Sequence, residues 1–147
     1  SFYTPDKLFE FKVGKAITYE RKGHIALLTV GGILEEVMIA SQKLKDKGID
    51  CKVVHFHTIK PFDFDSLEDI IKTSQAVFSI EEHNQIGGLF STISEYCLNS
   101  GNYPKYFKSI GLKDTFSSVV GSQSYLRNVY KIDNKAILDE VLSFIKT

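Results

Sequence analysis

Residues 25–30 read IALLTV, an apolar run with no polar alternation. A strand with one wet face alternates apolar and polar side chains, so an unbroken run implies cover on both faces. The chain supplies that cover. Gly31-Gly32 turns it into Ile33–Lys47, where Ile33, Leu34, Val37, Met38 and Leu44 recur at helical spacing with Lys, Asp, Glu and Gln opposite. Gly48 is a natural C-terminal stop.

The pattern then repeats. A strand at Cys51–Phe56 (CKVVHF) leads through HTIKPFDF to a short helix ending at Thr73, with Leu67, Ile70 and Ile71 on its buried side. Asp65-Ser-Leu-Glu68 fits a capping pattern for that helix. A strand at Ala76–Ile80 (AVFSI) and a helix near Leu89–Leu98 follow. After the loop Gly101–Pro104 come a strand at Tyr106–Ile110 and helical pieces at Ser122–Tyr130 and Asn134–Ile145. The last carries Ile137, Leu138, Val141, Leu142 and Ile145 on one stripe.

Strand–helix alternation in units this short implies parallel strands joined by right-handed crossovers. The expected class is α/β: a three-layer α/β/α sandwich around a mostly parallel sheet of about five strands, with one antiparallel strand. The exception is Ala16–Tyr19 (AITY), separated from IALLTV by Glu-Arg-Lys-Gly-His, a spacing that suits an antiparallel hairpin. Residues 1–15 read as a lead-in arm and 16–147 as the domain.

Charge narrows the function classes. Eighteen basic and eighteen acidic side chains cancel, with no basic cluster. Nucleic acid is not an expected partner, because its binding rests on neutralising phosphates. There is no polybasic patch for an anionic membrane, and IALLTV is far short of the roughly 20 residues that span a bilayer. Cys51 and Cys97 sit far apart among apolar neighbours and read as buried thiols of a reducing compartment. The first residues lack a signal-peptide layout, and the start without methionine reads as a processed or cut chain. Cytoplasm is the expected location.

In open α/β sheets ligands gather beyond the carboxyl ends of the strands. Three such ends carry polar residues: Gly31-Gly32, His55-Phe-His57 and Glu81-Glu82-His83. If the strands are parallel, all three crowd one edge. TVGGILEE could cradle a phosphate at a helix N-terminus, but it matches no phosphate-loop pattern, and Glu35 and Glu36 would repel an anion. A structural turn is the favoured reading. His55 and His57 share a strand face and could hold zinc with a third ligand. Cys51 has the same parity but lies about 13 Å along the strand, too far to share the metal. Polar side chains at the mouth of a sheet fit them better. Glu81 and Glu82 should diverge to opposite faces, leaving two readings: one glutamate capping backbone or securing an interface, or one glutamate or His83 pointing into a cleft. The first is favoured.

Four stretches in order carry a resemblance. GGILEEVMIASQKLKDKGIDCKVVHFHTIKPFD resembles a glycine turn, long helix, strand and "tiKPlD" loop. FSIEEHNQIGGLFSTISEYCLNSG resembles the block "vvEEh…GGlgsavaE". SIGLKDTF and GSQSYLRNVYKID resemble the signatures that follow it. Together, from about Phe9 to the end, they resemble the C-terminal domain of transketolase-like thiamine-diphosphate enzymes. EEHNQIGG followed by IGLKDTF is most similar to transketolase, especially its split form, and to deoxyxylulose-phosphate synthase. The β subunits of 2-oxoacid dehydrogenases are similar across KPFD but usually differ after the glutamates.

The resemblance implies that thiamine diphosphate and Mg²⁺ belong to the complete enzyme, between a diphosphate-binding and a pyrimidine-binding region, and are not bound by this domain. The diphosphate motif begins Gly-Asp-Gly, and no Gly-Asp dipeptide occurs here. The chain alone is therefore expected to be inactive, without catalytic, cofactor or metal residues of its own, Glu81 and His83 being the only cleft candidates. Its expected partners are the other two domains or subunits and further copies of itself. Gly31, Gly32, Lys60, Asp63, Glu81, Glu82, His83, Gly87 and Gly88 are the turn and interface candidates. A stand-alone interaction module is the non-enzyme alternative.

Overall fold

The structure, a computed structural model, describes residues 14–82, 88–112 and 132–147. These form β1 (Ile17–Glu20), β2 (Ile25–Val30), α1 (Leu34–Asp46), β3 (Cys51–Phe56), α2 (Phe64–Thr73), β4 (Ala76–Glu82), α3 (Leu89–Ser100), β5 (Phe107–Leu112) and α4 (Ile132–Lys146). A single 3-10 turn, Gly31–Ile33, links β2 to α1.

One sheet has the order β1-β3-β2-β4-β5. β3, β2, β4 and β5 are parallel and β1 is antiparallel to β3, which is the expected α/β/α architecture. β2 sits at the centre, and its alternate residues feed two separate cores. Ile25 and Leu27 pack with Val37 and Leu44 of α1 and Ile137 and Val141 of α4. Ala26 and Leu28 pack with Leu67 and Ile71 of α2 and Leu89 and Ile93 of α3. The apolar run thus reports a strand buried on both sides, with Ala26, Leu27 and Leu28 fully inaccessible.

The expected hairpin between the first two strands does not form. Both edges of β2 are taken, by β3 and β4, so β1 pairs with the free edge of β3, Ile17 opposite His55. The α2 cap also differs: Asp63, not Asp65, is the N-cap, its side chain accepting from the Ser66 N–H three residues on. β4 and β5 run two residues further than their apolar cores suggest, because Glu81 and Glu82 pair with Gly111 and Leu112. The lead-in before Gly14 and the helical piece at Ser122–Tyr130 lie outside the described residues.

Connectivity fixes where a site can be. From β2 the chain steps through α1 to β3 on one side, then returns through α2 to β4 on the other. Strand order therefore reverses between β2 and β4, and the carboxyl ends of those strands flank the switch point where α/β folds place their ligands.

Candidate functional site

Thr29 of β2 is in register with His55 of β3 and Ile80 of β4, so the three polar strand ends meet at one edge. Gly31 turns with φ +77°, a left-handed conformation that favours glycine. Its carbonyl lies 3.0 Å from His55 Nε2. A carbonyl only accepts, so Nε2 carries the hydrogen, and the buried Nδ1 has no hydrogen-bond partner among the described residues. Burial pulls the His55 pKa below 6.5, the bond to Gly31 opposing but not cancelling it. His57 lies on the same side, ring centroids 4.8 Å apart and nearly perpendicular. Its pKa is lowered by burial and then by His55. Among the described residues no group of three or more His, Cys, Asp and Glu could hold a metal ion.

The two glutamates of β4 do diverge. Glu82, half-buried, turns toward the α1 side, where a Cβ on Gly32 would lie 3.8 Å from its Oε1. Glu81 turns toward α3 and is 1% exposed. Its Oε1 accepts from Leu89 N at 2.8 Å and its Oε2 from Phe90 N at 3.0 Å. The N-cap position of α3 is Gly88, which has no side chain to cap with, and a carboxylate from the neighbouring strand takes that role. The positive helix end and two charge-assisted bonds compensate for burying the charge. Each oxygen of Glu81 is thus committed to a backbone donor. His83 and Gly87 lie outside the described residues.

Lys60 and Asp63, expected at one packing edge, are in different settings. Lys60 is exposed, whereas Asp63 is 5% exposed and accepts from Ser66 N, Ser66 Oγ and, across 47 residues, Ala16 N. Burial raises its pKa, but the hydrogen bonds from Ser66 and Ala16 together with Lys15 outweigh that and leave it below the usual carboxylate value. Cys51 and Cys97 are buried free thiols. The Cys51 pKa is pushed up to about 12 by burial and by Asp50, so it offers no thiolate nucleophile.

Sequence reasoning did not find the link between Asp63 and Ala16, although Asp63-x-x-Ser66 has the cap spacing that could have pointed to half of it. It also missed a polar bridge between α1 and α4. Asn134 Nδ2 donates to Glu36 Oε1 at 3.2 Å and Lys43 Nζ donates to Asn134 Oδ1 at 2.8 Å. No local pattern announces contacts so distant in sequence.

The switch-point glycine turn, the paired glutamates of β4 and the buried aspartate after Lys-Pro-Phe define a domain of the transketolase type. The family described as "Transketolase, C-terminal domain" matches residues 14–137, and the chain belongs to it. It is 34% identical over 135 residues to an apulose-4-phosphate transketolase subunit of Actinobacillus succinogenes, covering 92% of this chain and 43% of that protein. It is also 34% identical over 145 residues to "1-deoxy-D-xylulose-5-phosphate synthase" of Clostridium kluyveri, covering 99% of this chain and 23% of that one. The chain therefore spans less than half the length of these relatives. In fold it is similar to "Split gene transketolase, inactive beta4 tetramer", with TM-score 0.75, 24% identity, and coverage of 97% of this chain and 44% of that one. Among the described residues no helix is long and apolar enough to cross a membrane.

Proposed function

We propose that this chain is the C-terminal part of a cytoplasmic transketolase-type enzyme of the two-chain kind, which moves a two-carbon ketol unit from a ketose phosphate to an aldose. Its own contribution is a wall and an assembly surface, for copies of itself and for the pyrimidine-binding and diphosphate-binding domains or subunits. The observation that carries this division of labour is Glu81. The one fully buried acid at the switch point among the described residues spends both oxygens on the α3 backbone.

We infer that thiamine diphosphate is held by the other domains or subunits and not at this edge. The glycine turn leads into Glu35 and lies near Glu82, and negative charge beside it opposes a diphosphate. No step of the reaction is assigned to this chain. Calorimetric titration of the chain with thiamine diphosphate and Mg²⁺ is expected to give no heat of binding, whereas micromolar binding would overturn the reading. The complete enzyme is expected to transfer the ketol unit between sugar phosphates, and light scattering to show self-association.

Likeness over 99% of the chain to a deoxyxylulose-phosphate synthase supports a second reading, with the same domain and a different two-carbon donor. Turnover by the complete enzyme with a ketose-phosphate donor separates the two.

A further inference from the structure

β1 adds Ile17 and Tyr19 to the core on the α1 side, but its backbone pairing is slight. It is four residues long, pairs among the described residues with β3 alone, and its register slips between Thr18 and Glu20. A short edge strand with a broken ladder is among the first elements to open in a folded domain. Yet the residues that lead into it lie one after another against a single loop. A Cβ on Gly14 would meet Pro61 Cγ at 3.0 Å, Lys15 Nζ lies 3.9 Å from Asp63 Oδ1, and Ala16 N donates to Asp63 Oδ2 at 2.9 Å. The same carboxylate accepts from Ser66 N at 3.1 Å and Ser66 Oγ at 2.6 Å, which start α2. One buried side chain therefore joins the beginning of β1 to the beginning of a helix packed on the sheet.

We propose that Asp63 is a clasp for β1: it ties the chain at Ala16 to the start of α2 and holds the entry of β1 against the sheet where its own ladder is broken. The clasp, more than the β1–β3 ladder, sets the point and direction at which the chain joins the sheet. A carboxylate suits the task because its two oxygens accept several donors at once, where an amide of the same shape has one accepting oxygen and turns donors of its own toward them. The device does not depend on which reaction the complete enzyme performs.

Hydrogen–deuterium exchange on the full chain tests it. In Asp63→Asn, the amides of Ala16–Glu20 are expected to exchange about tenfold faster or more, while those of β2 and β4 stay within about twofold of the parent. In Ser66→Ala, which weakens the helix cap but leaves the bond to Ala16, the first turn of α2 should loosen and β1 should not. Unchanged β1 exchange in Asp63→Asn overturns the clasp, as does an equal loss of protection across the core. So does Ser66→Ala releasing β1 as much as Asp63→Asn, which would make β1 a passenger of α2. Should Asp63→Asn not fold, Ala16→Pro removes the donor and keeps the carboxylate and its cap. Faster β1 exchange over an unchanged core then supports the clasp, and unchanged β1 exchange overturns it.

Discussion

Lys43 Nζ donates to Asn134 Oδ1 at 2.8 Å across 91 residues of sequence, and so pins α4 to α1. Asn134 is buried and passes the connection on to Glu36, which is 5% exposed. Removing the amide strips a donor from a buried carboxylate and leaves the lysine to water. Asn134→Ala is therefore expected to cost about 1–3 kcal/mol, the range for leaving a buried polar group short of a partner. Lys43→Met removes an exposed cation that water can replace, and should cost less. Urea unfolding of the two variants checks the order, and the idea fails if Lys43→Met is the more damaging.

Glu81 makes the sharper case, because two backbone N–H groups depend on it. Glu81→Ala leaves both without an acceptor beneath a packed helix. The expected loss is about 2 kcal/mol or more, combining a lost cap with buried unsatisfied donors. Glu81→Gln keeps the shape but one accepting oxygen, and should fall between parent and alanine. Amide exchange at Leu89 and Phe90 should rise in step with the loss of stability. In the complete enzyme, a collapse of turnover with stability unchanged would instead mark Glu81 as a reacting group.

These two bonds show what the sequence announces and what it does not. Apolar runs and period-3.6 patterns are local, so IALLTV, the α1 stripe and Leu67–Ile71 disclosed strands, helices and their buried sides. The direction of Glu81 against Glu82 was also legible, since neighbours on a strand must point apart. Pairing partners are not local. AITY looked like half of a hairpin because its spacing to β2 allows one, and only the competition of β3 and β4 for the edges of β2 excludes it. Asp63 reads as a turn residue beside a proline, and its bond to Ala16 exists only once β1 lies on β3.

Gly31 and Gly32 look alike in sequence and should not behave alike. Gly31 has φ +77°, where a side chain costs roughly 1–2 kcal/mol. Gly32 is outside that region, and among the described residues a Cβ there meets only Glu82 Oε1, at an ordinary 3.8 Å. Gly31→Ala should lower the melting temperature. Gly32→Ala should leave it level or raise it slightly, by roughly 0.4–1 kcal/mol of stability, through a less flexible unfolded chain. If the exposed glycine edge is an assembly surface, as proposed, Gly32→Ala should weaken association while the fold holds. Thermal melts and light scattering on the same samples separate the two effects.

His55 should make the domain sensitive to mild acid. Its ring is 8% exposed, and its Nε2–H is held by the Gly31 carbonyl. Burial lowers its folded-state pKa below 6.5, with the Gly31 bond acting the other way, and His57 beside it is shifted in the same direction. Between the folded and the unfolded values the unfolded chain binds more protons, so stability rises with pH across that window. It is complete above about pH 6.5, declines as the pH falls below that, and levels off once the folded ring is also protonated. His55→Gln keeps an N–H donor for Gly31 and takes up no proton. Whatever it costs in packing at neutral pH, it should flatten the dependence of the urea midpoint on pH between about 5 and 7. An unchanged slope would show that the buried ring is not what acid attacks, and would move the search to His57.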